Sequence, residues 1–221
     1  MPLKKSTSKA STKTQKDAAS LILSPYLYVG TRSSTTTAFL SAQGITHVLS
    51  IGATPASADA PGVTYHRLSL PDHQNAPIVD IVAAAEQIIA LCEPTTSNLT
   101  GPARPDTMTT AQLTASINAA PVARKYQKNG KQEKKILVHC SAGISRSPML
   151  VTAYLMRRCG MTLKEALGVI VRARPAACPN PGFMKQLREM DLDLRGESSI
   201  EIGALPARKE DRLALLSTVA P

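Results

Sequence analysis

The chain has 221 residues, of which 43% are hydrophobic and 3% aromatic, and its formal net charge is +10 at pH 7. This length and composition suit one domain with an aliphatic core and tails, and no apolar stretch is long enough to span a membrane. The N-terminus lacks an apolar segment, so no secretory signal is expected. The four cysteines should then be reduced thiols inside the cell, in the cytoplasm, the nucleus or both.

Residues 1–20 form a basic polar tail. Five lysines against one aspartate give this stretch a net charge of +4, and serine, threonine and lysine dominate it. We expect the tail to be disordered, because it has too little apolar surface to bury. A basic chain suits polyanions, but few aromatic side chains are available to stack on bases, so nucleic acid is not an expected partner.

The first half of the chain alternates predicted strands and helices. Apolar runs bounded by turn residues predict the strands, and Gly44 is placed to end a helix in the left-handed conformation. From about Pro77 to Cys92, apolar residues recur at helical spacing. The predicted strands are Tyr26–Val29, His47–Ile51 and Thr64–Leu70, and the predicted helices are Thr35–Gln43 and the segment from Pro77 to Cys92.

A long polar stretch interrupts this alternation. The 39 residues from Glu93 to Lys131 are rich in threonine, alanine, proline and asparagine. A structureless loop of this length is uncommon in a compact domain, so we interpret residues 93–131 as a surface insertion, with Thr110–Ala119 as a candidate helix. A gate over a substrate site is the alternative interpretation.

The second half begins with a buried strand at Ile136–Val138 and continues as helices. Pro148 suits the first turn of one helix, and the sequence from Thr162 to Glu165 is a capping box that opens another, which runs to about Arg172. An amphipathic helix is predicted at Phe183–Leu194. Residues 196–221 form a C-terminal appendage with a short helix around Asp211–Leu216. The alternation of strands and helices predicts an α/β fold with helices packed on a sheet.

The connection between the buried strand and the helix at Pro148 carries the strongest chemical signal. Such a strand–loop–helix turn directs backbone N–H groups and the positive end of the helix dipole toward one point, which makes it an anion cradle. We call residues 140–146 the anion loop. Cys140 at its start should have a lowered thiol pKa, and Arg146 can donate two parallel hydrogen bonds to a phosphoryl group. The chemistry indicated is phosphoryl transfer to sulfur.

The nine residues from His139 to Ser147, HCSAGISRS, resemble the signature of the cysteine-dependent dual-specificity protein phosphatases. The stretch from Leu23 to Gly30, the stretch from Gly44 to Ser50 and the stretch from Pro179 to Leu187 resemble other parts of the same family. The resemblance covers residues 21–195 apart from the insertion. It implies a mostly parallel central sheet flanked by helices and a phosphatase that needs no metal or cofactor and acts on phosphoproteins. The phosphate-binding residues would be Ser141, Ala142, Gly143, Ile144, Ser145 and Arg146.

Hydrolysis through a thiolate also requires an acid for the leaving oxygen. Asp72, which follows a predicted strand and resembles the family's acid loop, is the expected donor, with Asp80 and Asp59 as alternatives. Three further catalytic or binding roles and two supporting ones are expected. The Ser147 hydroxyl would donate a hydrogen bond to the cysteine sulfur, His139 would orient the loop, and Arg174 would line a secondary anion site. Asn180 and Gln186 would brace the loop.

Three other functions remain open. Phosphoinositide phosphatases and RNA 5′-phosphatases on this fold are alternative enzymes, although related lipid enzymes tend to carry lysines inside the loop, and here it has none. A non-catalytic phosphopeptide-binding module is the third, and it would be expected to lack the nucleophile.

His139 and Cys140 have no second ligand pair at zinc spacing, so no metal site is expected. The sequence indicates neither the preferred phosphorylated residue nor the oligomeric state.

Overall fold

Five strands form one sheet in the computed structural model, which describes residues 19–94 and 133–217. The strands are β1 (Ala19–Leu23), β2 (Leu27–Gly30), β3 (His47–Ile51), β4 (Thr64–Leu68) and β5 (Ile136–His139). Their order is β1-β2-β5-β3-β4, with β1 antiparallel to β2 and every other neighbouring pair parallel. The mostly parallel sheet is therefore confirmed. Because β5 is central, the residues that follow it lie at the carboxyl edge between the ends of β2 and β3.

The predicted helices are confirmed with their ends shifted by a few residues. The described helices are α1 (Thr37–Gln43), α2 (Val79–Ala90), α3 (Arg146–Arg158), α4 (Leu163–Ala173), α5 (Pro181–Arg195) and α6 (Lys209–Ser217), with a 3₁₀ turn at Arg32–Thr35. The capping box of α4 forms as expected: the Thr162 hydroxyl accepts from the Glu165 N–H, and the Glu165 carboxylate accepts from the Thr162 N–H.

The two faces of the sheet belong to separate apolar clusters. Successive strand residues point to opposite faces, so Ile136 and Val138 of β5 enter the larger cluster while Leu137 enters the smaller one. The larger cluster contains residues from α2 to α6, and the smaller one contains Leu40 of α1. Helix α3 is the centre of the larger layer, because every residue from Ser147 to Met156 is buried.

Two boundaries differ from those expected. Ala19 and Ser20 belong to strand β1, although the predicted tail extended to Ser20. The segment after Arg195 was expected to be an appendage, yet Ile200, Leu205 and Leu216 are buried in the larger cluster. Three parts of the chain lie outside the described residues. They are the tail up to residue 18, most of the insertion with the candidate helix at Thr110–Ala119, and residues 218–221.

Candidate active site

The anion loop connects the end of β5 to the start of α3. Because β5 is buried between two parallel strands and α3 is buried on nearly every side, both ends of the loop are held by the core. The N-terminus of α3 leaves unpaired N–H groups and a partial positive charge at the loop, a combination that favours bound anions. The strand and helix thus place the loop at the centre of the sheet's carboxyl edge.

Cys140 lies at the bottom of this loop with 2% of its surface exposed. Its Sγ accepts a hydrogen bond from the Gly143 N–H (3.2 Å) and one from the Ser147 hydroxyl (3.4 Å). Burial by itself raises the pKa of the Cys140 thiol, but hydrogen bonds from Ser147 and Gly143 and the positive charge of Arg146 together lower the pKa below its ordinary value. These neighbours therefore shift the Cys140 thiol toward its thiolate form.

Three consecutive carbonyls of the loop are held from behind by residues 174–178, which we call the clamp. Arg174 donates from Nε to the Gly143 carbonyl (2.6 Å) and from Nη2 to the Ala142 carbonyl (3.2 Å), and the Cys178 N–H donates to the Ile144 carbonyl (2.7 Å). In a planar trans peptide the N–H of the next residue points opposite to the carbonyl. The clamp thus turns the N–H groups of residues 143–145 away from itself.

This arrangement corrects the role expected for Arg174. The side chain was expected to line a secondary anion site, but Arg174 is 6% exposed and its guanidinium bonds to carbonyl oxygens. Gly143 permits this close approach. Its φ is +64°, and a Cβ there would lie 2.6 Å from both the Arg174 Nη2 and the Gly30 carbonyl oxygen. Arg174 is therefore a support of the anion loop and not a ligand for a second anion.

Arg146 is fixed at one side of the loop. Its Nη1 donates to the Gly52 carbonyl (2.8 Å), and its Nη2 donates to the Ser141 hydroxyl (3.1 Å). Its Nε is buried and has no hydrogen-bond partner among the described residues, although it lies 3.5 Å from Asp72 Oδ2. A phosphoryl oxygen bound at Nε would supply that partner.

Asp72, the acid expected from the sequence, contacts the end of the anion loop beside Arg146. Its Oδ1 accepts hydrogen bonds from the Ser145 hydroxyl (2.6 Å) and from Asn180 Nδ2 (2.9 Å). Ser145 in turn accepts from the Asn180 N–H (3.2 Å), so the three residues form a closed network. Both bonds to the carboxylate use Oδ1, which leaves Oδ2 as the oxygen facing Arg146. Among the described residues, neither Asp59 nor Asp80 makes a hydrogen bond to the anion loop.

His139 supports the loop from beneath. It is buried, its Nδ1 lies 3.2 Å from the Cys140 carbonyl and its Nε2 lies 2.7 Å from the Ser50 hydroxyl. A carbonyl can only accept, so Nδ1 carries the proton and Nε2 accepts from Ser50. Burial lowers the pKa of the imidazole and outweighs the opposing hydrogen bond to the Cys140 carbonyl, and the positive charge of Arg32 adds a smaller lowering. The ring is therefore neutral near pH 7.

Gln186 was expected to brace the anion loop. Its hydrogen bonds go instead to the backbone of residues 76 and 78, in the segment that follows Asp72. Its Oε1 accepts from the Ile78 N–H (3.1 Å), and its Nε2 donates to the Ala76 carbonyl (2.9 Å). Sequence reasoning missed Ser50 and Gly52, which contact His139 and Arg146. Signals for both were present, because Ser50 is a polar residue inside an apolar strand and Gly52 immediately follows that strand.

The described ranges, 19–94 and 133–217, offer neither a cluster of metal ligands nor a membrane-spanning helix. These residues contain no group of three or more His, Cys, Asp and Glu side chains that could hold a metal ion. They also contain no helix with the length and apolar character needed to cross a membrane.

Comparison with known proteins gives concordant matches in sequence and in fold. Residues 112–192 match the dual specificity phosphatase catalytic domain. Dual specificity protein phosphatase 15 of Mus musculus is 44% identical over 84 residues, which cover 36% of this chain and 36% of that protein. Dual specificity protein phosphatase 1 of Arabidopsis thaliana is 45% identical over 65 residues, covering 29% and 33%. The aligned part is thus less than half the length of either relative.

The fold similarity is more extensive than the sequence similarity. The crystal structure of human DUSP28 has a TM-score of 0.54 and 26% sequence identity, and the match covers 80% of this chain and 95% of that one. The family match begins at residue 112, after Asp72. The role of Asp72 therefore depends on its contacts and not on that match.

Proposed function

We propose that this chain, which is similar to the dual specificity phosphatases in sequence and in fold, hydrolyses phosphate monoesters on phosphotyrosine and on phosphoserine or phosphothreonine in proteins. The observation that carries the proposal is the position of Cys140. Its thiol pKa is lowered inside a loop that also presents Arg146, and Asp72 Oδ2 lies 3.5 Å from the Arg146 Nε. A thiolate nucleophile, an arginine for the equatorial oxygens and an acid for the leaving group are the three parts that the reaction requires.

In the first step the Cys140 thiolate attacks phosphorus. The S–P bond forms while the bond from phosphorus to the leaving oxygen breaks, and Asp72 donates its proton to that oxygen. Oδ2 is the oxygen that carries this proton, because Oδ1 accepts from Ser145 and Asn180. Arg146 and the N–H groups of residues 141–146 stabilise the charge on the equatorial oxygens.

In the second step water attacks the phosphocysteine. The ionised Asp72 accepts a proton from the water as its oxygen bonds to phosphorus, and the S–P bond breaks to release inorganic phosphate. The leaving thiolate is stabilised by the hydrogen bond from the Ser147 hydroxyl, 3.4 Å from Sγ. The same carboxyl group thus serves as acid in the first step and as base in the second.

The alternatives have weaker support. The anion loop contains no lysine that would attract the extra charge of an inositol phosphate, and its only cation is Arg146. A binding module would not need a nucleophile, whereas Cys140, Arg146 and Asp72 are all present. Protein substrates therefore remain the proposal that fits the loop best.

The test is turnover on a matched panel. Peptides of one sequence carrying phosphotyrosine, phosphoserine or phosphothreonine would be compared with a phosphoinositide and a 5′-triphosphorylated RNA, and released phosphate would be measured. We expect turnover of the peptides by the wild type, and binding without turnover by Cys140→Ser, because a hydroxyl is not ionised near neutral pH. Turnover retained by Cys140→Ser would exclude the covalent mechanism, and faster turnover of the lipid or the RNA would exclude protein substrates.

A further inference from the structure

The C-terminal helix contacts the clamp through one buried arginine. Arg212 of α6 is 4% exposed and donates from Nη1 to the carbonyls of Pro206 (2.7 Å) and Ala207 (2.9 Å). Its Nη2 donates to the Pro175 carbonyl (2.8 Å). Pro175 belongs to the clamp and directly follows Arg174. One guanidinium therefore joins the C-terminal segment to the residues that hold the anion loop.

A buried guanidinium is costly unless its donors are satisfied. Within the described residues no carboxylate lies within 4 Å of Arg212 to form an ion pair and its buried Nε has no hydrogen-bond partner, so the three carbonyls bonded to Nη1 and Nη2 stabilise its charge. Pro175 also lies just beyond the last residue of α4, where the negative end of the helix dipole favours a cation. A hydrophobic residue would fill this position with a smaller desolvation cost. The presence of an arginine therefore indicates that its hydrogen bonds fix the relative position of the segments that it joins.

The segment that carries Arg212 is itself held firmly. Ile200, Leu205 and Leu216 are buried in the main apolar cluster. The buried carboxylate of Asp191 accepts from the Ser199 N–H and hydroxyl, both at 2.7 Å, and from the Leu163 N–H at the start of α4. Arg212 is thus anchored to the core and can restrain the clamp.

We propose that Arg212 is a positioning residue for phosphate binding. By holding the Pro175 carbonyl it fixes the backbone next to Arg174, since the pyrrolidine ring of Pro175 leaves little freedom between the two residues. Arg174 and the Cys178 N–H then keep the carbonyls of residues 142–144 turned outward and the following N–H groups turned inward. The C-terminal segment is on this view a working part of the phosphatase site. This inference rests on the proposed function.

The test compares Arg212→Met with Arg188→Met. Arg188 also joins the helical layer to the C-terminal segment, through a 2.7 Å bond from its Nη2 to Glu201, but none of its described hydrogen bonds goes to the clamp. The readouts are thermal unfolding, the pH dependence of Cys140 alkylation by iodoacetamide, and the inorganic phosphate concentration that protects Cys140 from alkylation. Alkylation needs no turnover, so this test remains valid if the proposed substrates are wrong.

We expect both variants to unfold at a lower temperature than the wild type. Only Arg212→Met should require about tenfold more phosphate for protection, because displaced N–H groups bind the anion less well. Its alkylation midpoint should also move to higher pH. Equal phosphate protection and equal alkylation midpoints in the two variants would overturn the inference.

A second variant covers the case in which Arg212→Met does not fold. In Arg212→Lys the charge remains, but a single ammonium group cannot reproduce the spread of the guanidinium donors over three carbonyls. Weaker phosphate protection in this folded variant would support the inference. Wild-type phosphate protection in Arg212→Lys would overturn it.

Discussion

Cys140 combines deep burial with a lowered pKa, two properties that oppose each other in most thiols. Burial disfavours a charged group, so the hydrogen bonds from Ser147 and Gly143 and the charge of Arg146 must more than offset that cost. In the neighbouring Asp72, Ser145 and Asn180 donate to one carboxylate oxygen, while the other oxygen lies 3.5 Å from the Arg146 Nε. At the scale of single residues, the chemical state of each reactive atom depends on the groups that donate hydrogen bonds to it.

The hydroxyl of Ser147 allows the pKa of Cys140 to be tested directly. Removing this donor in Ser147→Ala takes away one interaction that favours the thiolate, so the Cys140 pKa should rise. Because only the thiolate reacts, the alkylation rate should then reach half its maximum at a correspondingly higher pH. Rates of iodoacetamide labelling from pH 4 to 10 measure this. An unchanged midpoint would mean that the Ser147 hydroxyl does not lower the pKa and that the backbone N–H groups of Ser147 and Gly143 and the charge of Arg146 are sufficient.

The acid role of Asp72 is tested by the leaving group. Asp72→Asn should slow turnover of phosphoserine peptides about 100-fold, because an alkoxide departs poorly without a proton. Activated aryl phosphates leave without that proton and should be affected much less. The same series of substrates measured with Asp59→Asn and Asp80→Asn supplies the controls. A steep leaving-group dependence in Asp80→Asn together with wild-type behaviour in Asp72→Asn would reassign the acid.

At the scale of elements, helix ends position the site. Helix α3 begins at Arg146, and α5 begins after Asn180, whose Oδ1 caps the helix by accepting from the Phe183 N–H (3.0 Å). The Nδ2 of the same residue donates to Asp72. One side chain therefore stabilises a helix and holds the acid, and the two roles can be separated by substitution.

Asn180→Ser separates these roles. Serine is a good N-cap, so the free energy of unfolding should change by less than about 0.5 kcal/mol. Its short side chain cannot reproduce the Nδ2 bond to Asp72, so turnover of phosphoserine peptides should fall severalfold while aryl phosphates change little. Asn180→Ala, which also loses the cap, is the comparison and should lose stability as well. Uniform loss of rate across both substrate classes would argue against a role through Asp72.

At the scale of the whole molecule, the apolar core that stabilises the fold also holds the elements that carry the site. The segment after Arg195 contributes buried side chains to the same cluster that holds β5 and α3. Burial also distinguishes the thiols. It raises the pKa of Cys92 and of Cys159 to about 11, whereas Cys140 has the donors that lower its pKa. The fold therefore makes one of these three thiols reactive.

Mild peroxide should reveal that difference. Oxidation proceeds through the thiolate, so Cys140 should be converted to sulfenic acid before Cys92 and Cys159, with reversible loss of activity. Mass spectrometry of peptides after dimedone labelling measures the order, and reduction by dithiothreitol should restore turnover. Earlier labelling of Cys92 or Cys159 would contradict the assigned pKa order.

The sequence alone determined the features that depend on neighbours along the chain. The anion loop, the strand before it and the helix after it are contiguous, and the capping box at Thr162 and the apolar periodicity of α2 are equally local. The sequence also proposed Asp72 as the acid, because it follows a predicted strand and resembles the family's acid loop. Strand β1 was missed because its five residues follow a polar tail and depend on pairing with β2.

Only the tertiary structure decided which partners the long polar side chains reach. Arg174 could have been exposed to a second anion, but its contacts lie 31 and 32 residues earlier in the chain and turn it into a support. The hydrogen bond from Ser145 to Asp72 spans 73 residues. The hydrogen bond from Arg212 to Pro175 joins two segments whose contact cannot be inferred from the hydrophobic periodicity of either one. The physical reason is that apolar burial repeats with local period, whereas a buried donor binds whichever acceptor the packing of distant elements brings within 3 Å.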